Sequence, residues 1–408
     1  MREWRSWHRL LLMFTLAESC WCLGAPALRG QDTTRIAIEG ERAPSEAQLV
    51  EEVRIGSLAG DEAYSLGNVG GVVVAHDGTI WVSDRHWGTV RRYSPSGQHV
   101  GDVGRRGEGP GEFKYPGSMR VLGNSAVAVW DDGLLRVSIF DLSGVFQRSF
   151  EAPTHMIRGP YEEFEVDSAG NLYLVATDHL SNLLAGIGGG RWYWLRMTTT
   201  GEVLDTIFHE DSRQRGSVDR IRTFTALSPV GYRVTARNDQ FRLFLHKSRE
   251  QVTLLERSWD PIAYERAERA EKQRLESWRA ERAGRAARRI PRHKPAFSAL
   301  MVDSEGRLWV TVAAKGLRAR TDGVTEDRTC GTLVFDGSTC ATPPASEWLE
   351  PQVFEVIEPS GNVLWTVRVG DPRTEWHFAR GSRIWVVEYG PLDEQYVVQY
   401  RLSSQPGR

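Results

Sequence analysis

The stretch GRRGEGPGEFKYP (104–116), followed by an apolar run and then VAVWDDGLLRVSIF (127–140), is the clearest copy of a repeat that recurs along the chain. The segment IWVSDRHWGTVRRY (80–93) aligns with 127–140 without a gap, at an offset of 47 residues. Both segments contain an apolar strand that ends in an aspartate, Asp84 or Asp131, and then a strand that ends in an aromatic residue. A repeat of ~40–50 residues is typical of propellers and other repeat arrays.

Two families of turns divide each repeat into four predicted strands. Glycine, Asp and Ser suit tight hairpins because they tolerate positive φ or bond their own backbone. Turns between a first and a second strand lie at 76–82, 122–130, 167–175, 228–235, 303–310 and 379–387. Turns after a third strand lie at 94–100, 141–146, 198–204, 246–252 and 358–364. The second family is one member short, because only SSQPGR follows the last strand, 396–402.

The segment AQLVEEVRIGSL (47–58) precedes the first repeat and supplies the missing strand. Completing the last repeat with this N-terminal strand would close a ring of repeats and remove exposed strand edges. The sequence therefore predicts an all-β fold over 47–402, a six-bladed β-propeller of four-stranded antiparallel blades whose N-terminal strand closes the last blade. The predicted blades cover 70–104, 116–150, 161–208, 223–257, 296–369, and 373–402 with the N-terminal strand.

The N-terminus has the order of a signal peptide. Positive charges in MREWRSWHR precede the short apolar run LLLMFTLA and the small-residue site Ala25-Pro26-Ala27. Residues 1–27 are therefore predicted to be a signal peptide and 28–46 a loose polar leader. We expect a periplasmic or extracellular protein, with membrane anchoring through the N-terminus, for example a lipid on Cys20 or Cys22, as the alternative.

Cys330 and Cys340, in CGTLVFDGSTC, remain as an even pair once the signal is removed. An oxidising compartment favours a disulfide between them, and their spacing suits no zinc site. Two unpaired thiols on one loop are the alternative.

The long insertions lie at 101–116, 179–191, 209–222, 258–295 and 313–352. Because strands of a blade alternate in direction, links between blades and links between second and third strands emerge on one face. Variable loops on a rigid scaffold commonly carry function. We expect ligand contacts on this long-loop face, although the loops could also simply cap the ring.

The insertion 258–295 is predicted to be helical, with Asp260-Pro261 at its start. Predicted i,i+4 ion pairs are Glu265–Arg269, Glu268–Lys272 and Glu281–Arg285. An apolar stripe is formed by Tyr264, Ala267, Leu275 and Trp278. Residues 260–294 contain 11 Lys and Arg against 6 Asp and Glu, a net charge of +5. This basic helix is predicted either to contact anionic lipid or a partner, or to be a solvated face.

Candidate ligand residues follow the second strands. Asp84, Asp131 and Glu388 occupy matching places and would either ring the channel mouth or accept backbone hydrogen bonds that fix the following loop. Residues in loops of the same face are further candidates for ligand contact: Arg85, His86, Arg105, Arg106 and Asp132. Catalytic residues cannot be identified from motifs, since GRRGEGPGEF lacks the ending of a phosphate loop and neither H-x-x-H nor G-x-S-x-G occurs.

The motif G-x-G-P-G-E-F-x-x-P (107–116), with the strands that follow it, resembles the NHL repeat. The chain from about 47 to 402 is similar to bacterial six-bladed β-propeller proteins related to that repeat. The family commonly has Asn and Arg after the aspartate, and only Arg136 matches, since Trp87, Thr89 and Leu134 stand at the other positions. The resemblance implies a propeller and leaves the activity open, because this fold hosts binding proteins and enzymes.

Two classes of function remain. The first is an exported binding module for a protein, peptide or glycan, with no cofactor predicted. The second is a hydrolase or lyase that uses a divalent metal in the central channel, similar to the gluconolactonase or peptidyl-hydroxyglycine lyase groups. The lactonase group needs a Glu where this chain has VGGVVVA (69–75), and the lyase group needs channel histidines, for which His86, His155 and His377 are candidates. Nucleic acid is not an expected partner, given the net charge of −2.

Overall fold

The computed structural model describes residues 32–39, 46–153, 164–177, 192–209, 221–248, 250–282, 284–318, 347–369 and 373–403. The described part of the chain is mainly β-structure, with one α-helix, α1 (Arg266–Arg282), and one 3-10 turn, Glu62–Tyr64. The predicted signal peptide and both predicted disulfide cysteines lie outside the described residues.

Two strands precede the repeat: β1 (Asp32–Ala37) and β2 (Glu46–Ile55). Six successive units follow within the described residues. Unit 1 contains β3 (Val69–Val74), β4 (Ile80–Asp84), β5 (Thr89–Tyr93) and β6 (His99–Val103). Unit 2 contains β7 (Pro116–Leu122), β8 (Ala126–Asp131), β9 (Arg136–Asp141) and β10 (Phe146–Glu151). Unit 3 contains β11 (Phe164–Val166), β12 (Leu172–Thr177), β13 (Trp192–Met197) and β14 (Val203–His209).

The second half of the chain repeats the arrangement. Unit 4 contains β15 (Thr223–Leu227), β16 (Arg233–Arg237), β17 (Arg242–His246) and β18 (Gln251–Glu256). Unit 5 contains β19 (Phe297–Val302), β20 (Leu308–Val312), β23 (Gln352–Ile357) and β24 (Val363–Val369), and its insertion carries the short pair β21 (Leu317–Arg318) and β22 (Trp348–Leu349). Unit 6 contains β25 (Glu375–Arg380), β26 (Arg383–Tyr389) and β27 (Gln395–Ser403).

Within each unit, consecutive strands pair antiparallel in chain order. The second strand of unit 1, β4, is buried at every position, whereas the outer strand β6 alternates between exposed residues and residues that are partly or fully buried. Strands covered on both faces read as apolar runs, and edge strands alternate. The apolar runs and turns of the sequence thus correspond to strands and hairpins.

The core consists of apolar clusters between neighbouring units. Trp81 of unit 1 packs with Val129 of unit 2, and Trp309 of unit 5 packs with Val386 of unit 6. A further cluster joins the last unit to the first, through Trp385 and Val82. Successive antiparallel sheets packed face to face in this way are the organisation of a β-propeller.

The strand β2 pairs antiparallel with β27, from Gln48↔Ser403 to Ile55↔Val397, and supplies the fourth strand of unit 6. Its first residues, Glu46 and Ala47, also pair parallel with β24 of unit 5. Ile55 is fully buried in the cluster between units 6 and 1. The segment predicted at 47–58 therefore connects the outer edges of two units.

The prediction that residues 28–46 form a loose leader is wrong for residues 32–38. Residues 32–37 form β1, which pairs parallel with β18 along the outer edge of unit 4. The following residue, Ile38, is buried in the core cluster of units 4 and 5. The strand side chains are mostly exposed, so the composition is polar although the backbone is fully paired.

The glycine-rich motif is a compact loop rather than a ligand cradle. The Arg136 guanidinium donates hydrogen bonds to the carbonyl oxygens of Glu108, Gly109 and Glu112. Phe113 is fully buried between units 1 and 2. The arginine that matches the NHL pattern therefore holds the loop that carries the rest of the motif.

The helix begins five residues later than the sequence predicts, because 262–264 pair instead with 292–294. Tyr264 N–H donates to the Arg292 carbonyl, and Lys294 N–H donates to the Ile262 carbonyl. The buried residues of α1 are Glu268, Glu271, Glu276 and Ala280, and of the predicted apolar stripe only Tyr264, which precedes the helix, is buried.

Candidate functional site

Asp84 and Asp131 are equivalent in three dimensions as well as in sequence. Each carboxylate is fully buried and accepts four backbone N–H groups. For Asp84 the donors are Gly67, Asn68, His86 and Trp87. For Asp131 they are Lys114, Tyr115, Gly133 and Leu134, at the same four sequence separations. Of the two interpretations of these aspartates, the contacts support the structural one, in which the carboxylate joins the loop before a unit's first strand to the turn after its second strand.

Glu388 does not repeat these contacts, although its position in sequence matches. It is partly exposed and accepts hydrogen bonds from Arg54 Nη2 at 2.9 Å and from the Tyr400 hydroxyl at 2.6 Å. Both partners lie on the outer strands of unit 6. The expectation of three equivalent acids is therefore wrong for Glu388, since β26 continues past it to Tyr389 instead of turning.

Arg85 and Asp132 directly follow the buried aspartates and pair with each other across two units. Arg85 Nη2 lies 3.0 Å from Asp132 Oδ2, and both side chains are about one quarter exposed. Asp132 Oδ1 accepts the indole N–H of buried Trp130 at 2.7 Å. A Cβ on Gly117 would lie 3.1 Å from Asp132 Oδ2 and 3.2 Å from Arg85 Nη2, so glycine makes room for the pair.

The other three loop candidates are His86, in the turn after β4, and Arg105 and Arg106, in the loop between β6 and β7. The Arg106 guanidinium donates to the carbonyl oxygens of Arg85 and His86. Arg105 is highly exposed and pairs with Glu112 at 2.8 Å. The His86 side chain is exposed beside Trp87. The structure thus brings Arg85, His86 and Arg106 together and leaves Arg105 pointing to solvent.

The described residues form a central cavity of about 790 Å³. Every unit's first strand contributes to its wall, with Val73, Arg120, Glu165, Thr225, Met301 and His377. The wall also includes turns between first and second strands, at Gly123, Ser168, Pro229 and Ser304. The cavity therefore extends to the side of the short turns, whereas the sequence predicts ligand contacts on the long-loop face. The insertions predicted to form that face include 178–191, 210–220 and 319–346, which lie outside the described residues.

An ion pair between two units forms part of the cavity wall. Arg120 Nη2 and Nε donate to the two carboxylate oxygens of Glu165 at 2.6 and 2.9 Å. Burial lowers the pKa of Arg120, but the charge and hydrogen bonds of Glu165 outweigh that effect and raise it. Arg120 Nη1 donates to the Met119 carbonyl, so the guanidinium has a single orientation.

Glu375, His377 and Tyr389 form a second polar group, on unit 6. Glu375 Oε1 accepts the Tyr389 hydroxyl at 2.7 Å, and Oε2 lies 3.7 Å from His377 Nε2. Burial raises the pKa of Glu375, but His377, the Tyr389 hydrogen bond and the charge of Arg85 together lower it below its ordinary value. Arg85 therefore acts electrostatically on carboxylates of units 2 and 6.

Two buried polar atoms of the cavity wall, His377 Nε2 and Thr225 Oγ1, have no hydrogen-bond partner among the described residues. Buried polar groups are normally satisfied, so such atoms commonly mark a place for water or ligand. His86, in contrast, is on the surface, and His155 lies outside the described residues.

Of the cavity residues, the sequence indicated only His377, as a candidate channel histidine, and the others were missed. The available signal was a charged or polar side chain inside an otherwise apolar first strand, as in PGSMRVL for Arg120, FEV for Glu165 and EWHFAR for His377. That signal identifies single residues, but which of them face each other depends on the arrangement of the units.

Among the described residues, no group of three or more His, Cys, Asp or Glu side chains is arranged to hold a metal ion. In the same part of the chain, no helix has the length and apolar character needed to cross a membrane.

No protein-family model matches the chain, and no curated protein matches it in sequence. The structure is similar to a protein of Bacteroides fragilis described as exported, with 10% identity, 91% of this chain and 100% of that chain covered, and a TM-score of 0.48. It is also similar to virginiamycin B lyase from Staphylococcus aureus, with 9% identity, 88% of this chain and 100% of that chain covered, and a TM-score of 0.39. For regucalcin from Agrobacterium tumefaciens the identity is 10%, the coverage is 91% of this chain and 97% of that chain, and the TM-score is 0.39. Because these TM-scores are below 0.5, the description of the fold rests on the strands and clusters of this chain itself.

Proposed function

We propose that this chain is an exported β-propeller binding module that recognises a protein, peptide or glycan. In this proposal the ligand reaches the central cavity through a mouth on the long-loop face, formed by Arg85, Asp132 and Glu375. The observation that carries it is the convergence of charged side chains from units 2, 3, 5 and 6, among them Arg120, Glu165, Asp303 and Arg380, on one concave surface with unsatisfied polar atoms.

Binding is supported by how these side chains are held. The Arg120–Glu165 pair of the wall and the Arg85–Asp132 pair of the proposed mouth each join neighbouring units, so these charged groups are preorganised by the scaffold. Ligand pockets are typically apolar concavities with a few well-placed polar groups, and preorganisation reduces the entropy lost on binding. The apolar part of the wall includes Val73, Ala226, Leu300 and Met301.

The test is an array of oligosaccharides and peptides probed with the labelled full chain, followed by variants. For any probe that is bound, Glu375→Gln with His377→Asn should weaken binding about tenfold or more, because hydrogen bonds at the mouth are lost. Glu202→Gln is the matched control, since Glu202 is exposed in the turn after β13. Equal effects of the two changes, or binding to no member of the array, would argue against the proposal.

A second candidate function is a metal-dependent hydrolase or lyase with its site in the channel. The 3.7 Å approach of His377 Nε2 to Glu375 Oε2 at the cavity favours it, because a His next to a carboxylate suits general acid–base chemistry or metal ligation. Elemental analysis of the chain purified without chelators tests this candidate. A stoichiometric divalent metal that is lost in His377→Asn would support it, and lactones and esters would then be screened as substrates.

The architecture proposed for this function is a ring of six NHL-like blades closed by β2. It is supported by apolar clusters between neighbouring units, including the one between units 6 and 1. The predicted export also favours a Cys330–Cys340 disulfide, with two unpaired thiols as the alternative. Alkylation of the unreduced exported protein followed by mass spectrometry should find neither thiol modified, and two modified thiols would refute the pairing.

A further inference from the structure

The helical insertion turns its acidic residues inward. Glu268 Oε1 lies 2.8 Å from Nζ of Lys294, a lysine whose side chain has no exposed surface. Glu271 accepts the backbone N–H groups of Glu347 and Trp348. Glu276 pairs with Arg285 at 2.7 Å. Three of the six acids of 260–294 are thus buried, which a count of charges cannot reveal.

These contacts replace the i,i+4 pairs that the sequence predicts. Glu268 binds Lys294 instead of Lys272, and Arg285 binds Glu276 instead of Glu281. The acids are drawn inward because backbone N–H groups and Lys294 offer charge-assisted hydrogen bonds there. The exposed surface is correspondingly basic, and its exposed arginines are Arg266, Arg274, Arg282, Arg285, Arg288, Arg289 and Arg292.

Three arginines of this surface form a concave site. A cavity of about 390 Å³ is lined by Arg269, Arg289, Ile290, Pro291 and Arg292. Arg269 comes from α1, and the other four residues form the loop that returns along the helix. Among the described residues, no carboxylate pairs with any of these three guanidinium groups, so the positive charge of the cavity is uncompensated.

The Arg269 guanidinium has a fixed orientation. Its Nε and Nη2 both donate to the Ile290 carbonyl oxygen, at 3.1 and 2.8 Å. The sequence predicts a pair with Glu265 instead. Because the carbonyl uses only part of the five guanidinium donors, the remaining N–H groups stay available on the cavity side.

The loop that carries Arg289 and Arg292 is fastened on both sides. Gln273 Nε2 donates to the Arg288 carbonyl, and Gln273 Oε1 accepts the Ile290 N–H at 2.9 Å. The Ile290 side chain is buried, and the Arg292 carbonyl accepts the Tyr264 N–H at 3.0 Å. Both arginines therefore extend from a backbone that is held in place.

We propose that Arg269, Arg289 and Arg292 form a binding site for a phosphate-group oxyanion, supplied either by an anionic lipid headgroup or by a soluble phosphorylated molecule. Guanidinium groups match phosphate geometry with paired N–H donors, and several of them around one cavity create a site for multiply charged oxyanions. The site is separate from the central cavity and extends the proposed function with a second ligand.

The experiment compares two double variants of the full chain. Arg289→Gln with Arg292→Gln removes two charges from the cavity. Arg274→Gln with Arg282→Gln removes two charges from exposed positions on the helix that do not line it. One probe is inorganic pyrophosphate, followed by calorimetry. The other is flotation with phosphatidylcholine vesicles with and without phosphatidylglycerol. All variants retain the same N-terminal segment, so any contribution from it cancels.

The cavity variant should weaken pyrophosphate binding about tenfold or more, since each charge-assisted hydrogen bond contributes substantially. The control variant should change it about twofold or less, through screened long-range charge. Vesicle binding that pyrophosphate competes away assigns the site to lipid headgroups, and pyrophosphate binding without vesicle binding assigns it to a soluble ligand. Equal losses in both variants, or no binding of either probe by the unmodified chain, would overturn the proposal.

Discussion

Arg85 and Asp132 occupy the same position of the repeat, 47 residues apart, and their side chains form an ion pair with 3.0 Å between Nη2 and Oδ2. Each follows a buried aspartate that fixes its loop, so two copies of one loop place opposite charges within reach. The repeat thus places residues 85 and 132 at equivalent points of two loops, and an ion pair forms because one copy has an arginine there and the other an aspartate.

The Arg85–Asp132 pair should make the stability of the protein depend on pH. Burial raises the pKa of Asp132 above its ordinary value of 3.8, although the Arg85 charge and the Trp130 hydrogen bond oppose the shift. Between 3.8 and the raised pKa, the folded chain holds more protons at this site than the unfolded chain, so this site lowers stability as pH rises. Asp132→Asn should reduce that decline, and Arg85→Gln should extend it to higher pH. Thermal unfolding at a series of pH values measures both, and parallel curves for all three proteins would contradict it.

Replacing a buried aspartate should destabilise the protein strongly. In Asp84→Asn the amide nitrogen would face a backbone N–H donor, and the charge-assisted hydrogen bonds of the carboxylate would be lost. We expect a loss of about 3 kcal/mol in the free energy of unfolding. Asp131→Asn should have a similar effect, because its four backbone hydrogen bonds are equivalent, although Asp84 also lies 3.9 Å from the buried Arg91 guanidinium. The control is Asp77→Asn, since Asp77 is exposed and accepts one hydrogen bond, from Thr79 N–H. Denaturant unfolding that finds Asp84→Asn no worse than this control would refute the assigned role.

Shortening the Ile55 side chain of β2 should weaken the packing between units 6 and 1. Ile55 is fully buried, so Ile55→Ala should cost about 2–5 kcal/mol. Val50, on the same strand, is 37% exposed, and Val50→Ala should cost about 0.5 kcal/mol or less. Equilibrium unfolding compares the two, and similar costs would mean that β2 contributes little through Ile55.

The buried lysine of the helical insertion should be sensitive to substitution. Lys294→Met leaves Glu268 and Glu350 without their shared cation and should cost about 3–5 kcal/mol. Lys272→Met should cost less, because Lys272 is more exposed and lies 3.8 Å from Glu350. Adding Glu268→Gln to Lys294→Met should recover part of the loss, since the uncompensated charge is removed. A double variant no more stable than Lys294→Met alone would show that packing, not charge, dominates.

Much of the secondary structure was predictable because its signals are local. The apolar runs, the Gly turns and the aspartates that end β4 and β8 each report on a few neighbouring residues. The polar side chains of β1 gave no such signal, because its backbone pairs at a sheet edge while its side chains face solvent. For helix α1 the sequence predicts glutamates on the exposed surface, whereas three of them are buried by partners distant in sequence.

The sequence by itself determined the repeat, the strands, the loop-fixing role open to Asp84 and Asp131, and the pairing available to 47–58, since these follow from periodicity and turn chemistry. Only the tertiary structure decided that Arg120 meets Glu165, that Arg85 meets Asp132 and that Arg269 joins Arg289 and Arg292 around one cavity. These side-chain arrangements depend on how units pack against one another and how an insertion folds back on itself. Such contacts join residues distant in the chain, and a local pattern carries no information about which distant residue will be the partner.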